Sequence, residues 1–185
     1  GMGNNSLYVP VWIEKNTVTL TNATKGICLM GINAPPCGVE QSRNGGCGYF
    51  HIQKNTIHLN STCNSASCGT SNVRNQDAIF ISNSSGIYVR ENTIDRSLSA
   101  PSFSSTFNYG TTNPLLYPHG VTLQSNTGGN NAIYCNTVSN TYTGYRVEGQ
   151  NPNTDFLGNN IGASPNIPNR LGLHILAGGE VQALH

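Results

Sequence analysis

The chain has 185 residues, enough for one domain with a sizeable core, and only 9% of them are charged, for a net charge of +1. This balance excludes a basic field for nucleic acid and an acidic tail, and no window of 18 apolar residues exists to span a membrane. In place of charge stand 26 Asn and 21 Gly, residues that tolerate left-handed backbone and suit a chain with many tight corners.

Gly1-Met2-Gly3 is not a signal peptide and reads as a cloning remnant. The first element is Ile13-Glu-Lys-Asn-Thr-Val18, and it recurs along the chain. Further copies are Ile52-Gln-Lys-Asn-Thr-Ile57, Val89-Arg-Glu-Asn-Thr-Ile94 and Ile133-Tyr-Cys-Asn-Thr-Val138, then more loosely Phe156-Leu-Gly-Asn-Asn-Ile161. The intervals between copies are 39, 37, 44 and 23 residues. A second element falls between the copies: Gly26-Ile-Cys-Leu29, Ala78-Ile-Phe-Ile81, Gly120-Val-Thr-Leu123, Gly144-Tyr-Arg-Val147 and Gly172-Leu-His-Ile175. A small residue followed by apolar, variable, apolar is the period-two pattern of a strand with one buried face. No stretch of comparable length carries a helical stripe. Each unit therefore holds two or three short strands, with excursions at 30–50, 60–76 and 97–118.

A single coil cannot bury its apolar residues, whereas stacked coils bury each other's. The repeat thus predicts an all-β solenoid, a right-handed parallel β-helix of about five or more coils, over residues 1–185 as one domain and a section of a larger protein. Equivalent residues fall in columns. Asn16, Asn55, Asn92, Asn136 and Asn159 form a structural ladder at a corner, each amide bonding its own turn and the next Asn. Thr17, Thr56, Thr93 and Thr137 point outward beside it, because Val18, Ile57, Ile94 and Val138 point inward. An antiparallel β-sandwich is the rival fold, and the fixed Asn-Thr registry argues against it.

Six cysteines point to an oxidising compartment. Cys37 and Cys47 bracket one Gly-rich stretch and Cys63 and Cys68 another short loop, the spacing of two disulfide-closed loops. Zinc is the weaker alternative, because no CxxC pair occurs. Cys28 and Cys135 sit in apolar runs and are expected to be buried. Sequons begin at Asn4, Asn22, Asn60 and Asn83 and matter only in a eukaryotic secretory route.

The repeat resembles the right-handed parallel β-helix coils of the pectin-lyase-like superfamily, whose units read GIxIxxNxI with stacked Asn; Ser85-Gly-Ile-Tyr-Val-Arg-Glu-Asn-Thr-Ile94 is the nearest copy. That resemblance covers nearly the whole chain and implies a fold more than an activity. It also implies where a site would lie, in outward columns on one sheet. The column before the small residue reads Lys25, Asp77, His119, Thr143, Leu171, and the one two past it reads Cys28, Phe80, Thr122, Arg146, His174. Asp77, His119 and Arg146 are therefore the candidate catalytic residues. Their order is similar to that of the family 28 polygalacturonases, but Gln76 stands where the first Asp of a pair is wanted, and Glu148 where a Lys is. Hydrolysis with inversion needs two carboxylates about 6.5–9.5 Å apart, and the sequence places one. A lyase or epimerase would use Tyr117, His119 and Arg146 as base and carboxylate partner. Calcium-dependent chemistry would need an acidic cluster that is not visible.

Ladders of Asn, Thr, Tyr and Ser also suit non-catalytic contact with polysaccharide, with Tyr109, Tyr117, Tyr142 and Tyr145 as candidates to stack on sugar rings. An ice-binding plane would need a flat two-dimensional Thr array, and the one Thr column is interrupted at Asn160. The expectation is a secreted or cell-surface module that binds polysaccharide, with no cofactor, no metal, no nucleic acid and no membrane insertion. A polysaccharide-active enzyme and a plain structural spacer are the alternatives.

Overall fold

The computed structural model describes residues 11–21, 24–33, 50–60, 76–96, 118–128, 130–162, 171–176 and 183–184. Strands there are numbered in chain order and fall into three parallel sheets. Sheet A joins β1 (Val11–Glu14), β4 (Phe50–Gln53), β7 (Ile87–Arg90), β10 (Ala132–Tyr134), β13 (Asp155–Leu157) and β16 (Ala183–Leu184). Sheet B joins β2 (Thr17–Leu20), β5 (Thr56–Leu59), β8 (Thr93–Arg96), β11 (Thr137–Ser139) and β14 (Asn160–Ile161). Sheet C joins β3 (Lys25–Met30), β6 (Asp77–Ser82), β9 (His119–Gln124), β12 (Thr143–Glu148) and β15 (Leu171–Ile175). Each strand pairs with the third strand after it, so the chain passes through A, B and C once per coil. The result is a parallel β-helix of five coils, with β16 opening a sixth.

The core follows from register. Ile13, Ile52, Val89, Ile133 and Phe156 stack on sheet A, and Val18, Ile57, Ile94 and Val138 on sheet B. Ile27, Ile79, Val121, Tyr145 and Leu173 stack on sheet C, and all three files meet in one cluster. Fully burying one such Ile or Val contributes about 1.5–3 kcal/mol. A four-residue strand offers only two inward side chains, so it is the repetition that builds a core.

The corner between sheets A and B shows why Asn recurs. The residue before each ladder Asn has left-handed backbone: φ is 57° at Lys15, 54° at Lys54, 55° at Glu91, 52° at Cys135 and 62° at Gly158. An L side chain there costs roughly 1–2 kcal/mol, and the Asn that follows secures the turn. Each amide Nδ2 donates to the next Oδ1, from Asn16 to Asn55 at 3.0 Å, Asn55 to Asn92 at 2.9 Å, Asn92 to Asn136 at 2.9 Å and Asn136 to Asn159 at 3.0 Å. The same oxygens accept the backbone N–H of the preceding Asn. The second Nδ2 proton of Asn55, Asn92 and Asn136 goes back to a strand carbonyl of the coil before, on Ile13, Ile52 and Val89, and Asn159 Nδ2 donates likewise to Ile133. Four bonds on each of the interior amides Asn55, Asn92 and Asn136 use both donors and both acceptor positions.

The small residue of the second element also has a cause. It faces a close approach of neighbouring coils: a Cβ on Gly26 would stand 2.6 Å from the Ala78 carbonyl oxygen, and one on Gly120 would collide with the Gly144 carbonyl and Val138. At the corner after sheet C a second ladder runs through side chains the repeat does not announce. Ser84 Oγ accepts from Ile32 N–H, Asn126 Oδ1 from Ser84 N–H, and Asn151 Oδ1 from both amide groups of Asn126. On sheet B, Arg96 stands in the inward register position of Leu20 and Leu59 and is fully buried, which pushes its guanidinium down to about 10.

Candidate functional site

Both outward columns read from the repeat exist in register on sheet C. Lys25 pairs Asp77, Asp77 pairs His119, and His119 pairs Thr143. Cys28, Phe80, Thr122, Arg146 and His174 follow one another on five successive coils. Asp77 and His119 are thus neighbours on adjacent strands. Arg146 is one coil beyond His119 and three residues further along, the same offset by which Thr122 follows Asp77. The three residues share a face.

Their surroundings are closed. Asp77 is 1% exposed, His119 0% and Arg146 4%. One Asp77 oxygen accepts the Thr122 hydroxyl, and the other lies 3.2 Å from Lys25 Nζ, which also sits 3.4 Å from the Phe80 ring centroid. His119 meets Tyr142 edge-on. Arg146 donates to Glu148 at 2.9 Å, and burial followed by the Arg146 charge lowers the His174 imidazole from its ordinary value. The Asp77 carboxylate is thus held by Lys25 and Thr122, and the Arg146 guanidinium by Glu148.

Glu148 is the second carboxylate that the sequence did not place. It lies two coils and five residues from Asp77 in the register.

Several expectations are corrected. Tyr142 and Tyr145 are both 1% exposed, and Tyr145 belongs to the core, edge-on to Phe156 with its hydroxyl on Asn159 Oδ1 at 3.1 Å. The inward register position of Tyr145 and the packing of Tyr142 against His119 bury both rings. Cys28 and Cys135 are exposed and free, because Cys28 alternates to the outer face of β3 and Cys135 occupies a left-handed corner. Tyr109, Tyr117, Cys37, Cys47, Cys63 and Cys68 lie outside the described residues. The described residues hold no group of three or more metal-ligating side chains, and no helix long and apolar enough to cross a membrane.

The other two outer faces differ in character. On sheet B the Thr column of Thr17, Thr56, Thr93 and Thr137 is in register and open or half-open to solvent. Next to it run Thr19, His58, Asp95 and Ser139, with His58 Nδ1 2.7 Å from Asp95 Oδ1. On sheet A the outer column is aromatic: Trp12 stacks on His51 at 3.9 Å and 10°, and His51 on Tyr88 at 5.3 Å and 23°. Neither face was singled out from the sequence beyond its Thr column. The signal was present, since Trp12, His51 and Tyr88 each precede the first apolar residue of a repeat copy. Comparison with family models, curated proteins and solved structures gives no match, so the site rests on its own geometry.

Proposed function

We propose that the chain is a secreted or surface β-helix module that binds polysaccharide without transforming it. The observation that carries this reading is the open outer face of sheet B. There a file of four Thr hydroxyls repeats at the coil spacing of about 4.8 Å, flanked by Thr19, His58, Asp95 and Ser139. A flat row of neutral donors and acceptors, repeating along one axis, matches a ligand that itself repeats hydroxyl groups. The resemblance of Ser85–Ile94 to pectin-lyase-like coils supports a glycan ligand by analogy of scaffold. The His58–Asp95 pair in the second column departs from the uniform hydroxyl array an ice-binding plane requires.

The test is retention of the whole chain on gels carrying plant, algal and bacterial polysaccharides. The Thr56→Val plus Thr93→Val variant keeps the β-branched shape and removes two hydroxyls, and should weaken retention about tenfold, or roughly 1.4 kcal/mol. No retention on any glycan would reject the reading and leave a spacer.

One observation favours a second reading, a uronate-active enzyme: Asp77 and His119 are register neighbours on the sheet where such enzymes carry their groups. Reducing-sugar and unsaturated-uronate assays on pectin and alginate separate the two. Activity that disappears in Asp77→Asn would replace the binding proposal.

A further inference from the structure

We infer that His58 and Asp95 form a hydrogen-bond clamp for adjacent hydroxyl groups of one neutral sugar residue on the outer face of sheet B. The inference rests on the reading that the module holds polysaccharide, and adds a place and a sugar class to it. The second outward column reads Thr19, His58, Asp95, Ser139. Hydroxyls stand at its ends, and an imidazole and a carboxylate replace them on the two middle coils. The pair is interior to the sheet, since β5 lies between β2 and β8, and β8 between β5 and β11. A half-exposed pair of this kind contributes little to stability, which gives slight reason for its departure from the hydroxyl column.

The two side chains are 37% and 33% exposed, with His58 Nδ1 2.7 Å from Asp95 Oδ1. A carboxylate only accepts, so in the neutral imidazole Nδ1 carries the proton and Nε2 keeps its lone pair. Neither His58 Nε2 nor Asp95 Oδ2 has a further hydrogen bond among the described residues. The bond between them therefore fixes one tautomer and leaves two open acceptors on coils about 4.8 Å apart. Thr56 and Thr93 complete the patch. They lie two residues earlier on the same strands, in register with each other on the same outer face, about 7 Å along the strand. The four groups frame an area of about 7 by 4.8 Å, the footprint of one pyranose ring with its hydroxyls. Two acceptors at one edge take O–H donors from neighbouring carbons, and the Thr hydroxyls, able to donate or accept, take the groups at the other edge. A uronate would set its carboxylate against Asp95 on a sheet whose outward side chains include no Lys or Arg, Arg96 being inward and buried. The class that fits is a neutral polysaccharide with vicinal free hydroxyls.

The whole chain is run on gels carrying glucan, xylan, mannan, galactan, polygalacturonate and alginate. Retention on at least one neutral gel, and weaker or none on the two uronate gels, is expected. His58→Thr plus Asp95→Thr restores an unbroken hydroxyl column and should lose at least tenfold in affinity while keeping the wild-type circular dichroism. Asp95→Asn keeps the shape, exchanges one acceptor for a donor, and should lose several-fold; it decides alone if the double variant does not fold. Folded variants retained as strongly as the wild type reject the clamp and leave the function standing on the Thr file. Uronate gels that hold the chain as strongly as the neutral ones reject the neutral-sugar assignment. Retention on no gel rejects the function and the clamp together.

Discussion

Asn92 and Asn136 are joined twice through one oxygen: Asn136 Oδ1 accepts the Asn92 side-chain amide at 2.9 Å and the Asn92 backbone N–H at 3.0 Å. Asn92 in turn accepts the same pair of bonds from Asn55. Removing one such side chain therefore strands groups on two coils. Asn92→Ala should cost about 3–5 kcal/mol, since each buried group left unpaired costs about 1–3 kcal/mol. Asn16→Ala, at the exposed end of the column, should cost less than half as much. Urea unfolding of the two variants checks the difference.

The close approach at Gly120 makes a sharper case. Gly120→Ala places a methyl against the Gly144 carbonyl and Val138, and neither can move without shifting a coil. A loss of about 2 kcal/mol or more is expected, at the upper end of overpacking penalties. At Gly31 a Cβ would meet nothing within 4 Å, although φ there is +69°. Gly31→Asn, a residue that accepts such backbone, should cost under about 1 kcal/mol. Thermal unfolding of both variants compares them.

Left-handed corners give a third expectation. Glu91 has φ 55° and its carboxylate is 3.6 Å from Lys54 Nζ in a half-exposed pair, which is worth little. Glu91→Gly should be neutral within about 0.5 kcal/mol, the relief of backbone strain offsetting the added freedom of the unfolded chain. Glu91→Val should lose about 1–2 kcal/mol, because a β-branched residue fits that backbone worst. Denaturant midpoints at constant slope would establish both.

Arg96 predicts a dependence on pH. Burial lowers its folded value to about 10 while the unfolded value is near 12.5, so above pH 10 the unfolded chain binds more protons than the folded one. Stability then rises with pH in that window. The penalty of the buried charge is present in full below pH 10 and is relieved above it. Compared with Arg96→Met, the wild type should gain roughly 1 kcal/mol between pH 8 and pH 10.5–11. A pH-independent difference between the two proteins would refute this account of Arg96.

The frame was legible in the sequence because it repeats. The Asn and Thr files, the inward Ile and Val, and the pairing of Asp77 with His119 all follow from aligning one copy on the next. The second ladder was not, because Ser84 takes a place that Asn126 and Asn151 fill elsewhere and the offset after the strand changes from two residues to three. Arg96 broke the apolar rule at one inward position, and periodicity alone cannot distinguish a buried arginine from an outward one. Tyr145 departs from its expected outward place for a related reason. Tyr145 occupies an apolar position of the Gly-Tyr-Arg-Val element, which makes it core before it can be a ligand contact.

The connectors from sheet B to sheet C differ widely in length while the sheets they join do not shift. Residues 140–142 suffice between β11 and β12, whereas 97–118 lie between β8 and β9, and Ile94 still pairs with Val138 and Val121 with Tyr145. Frame and content are therefore separable at this edge. A foreign peptide grafted there would be carried as cargo, with its ends held by strands whose alignment is dictated elsewhere.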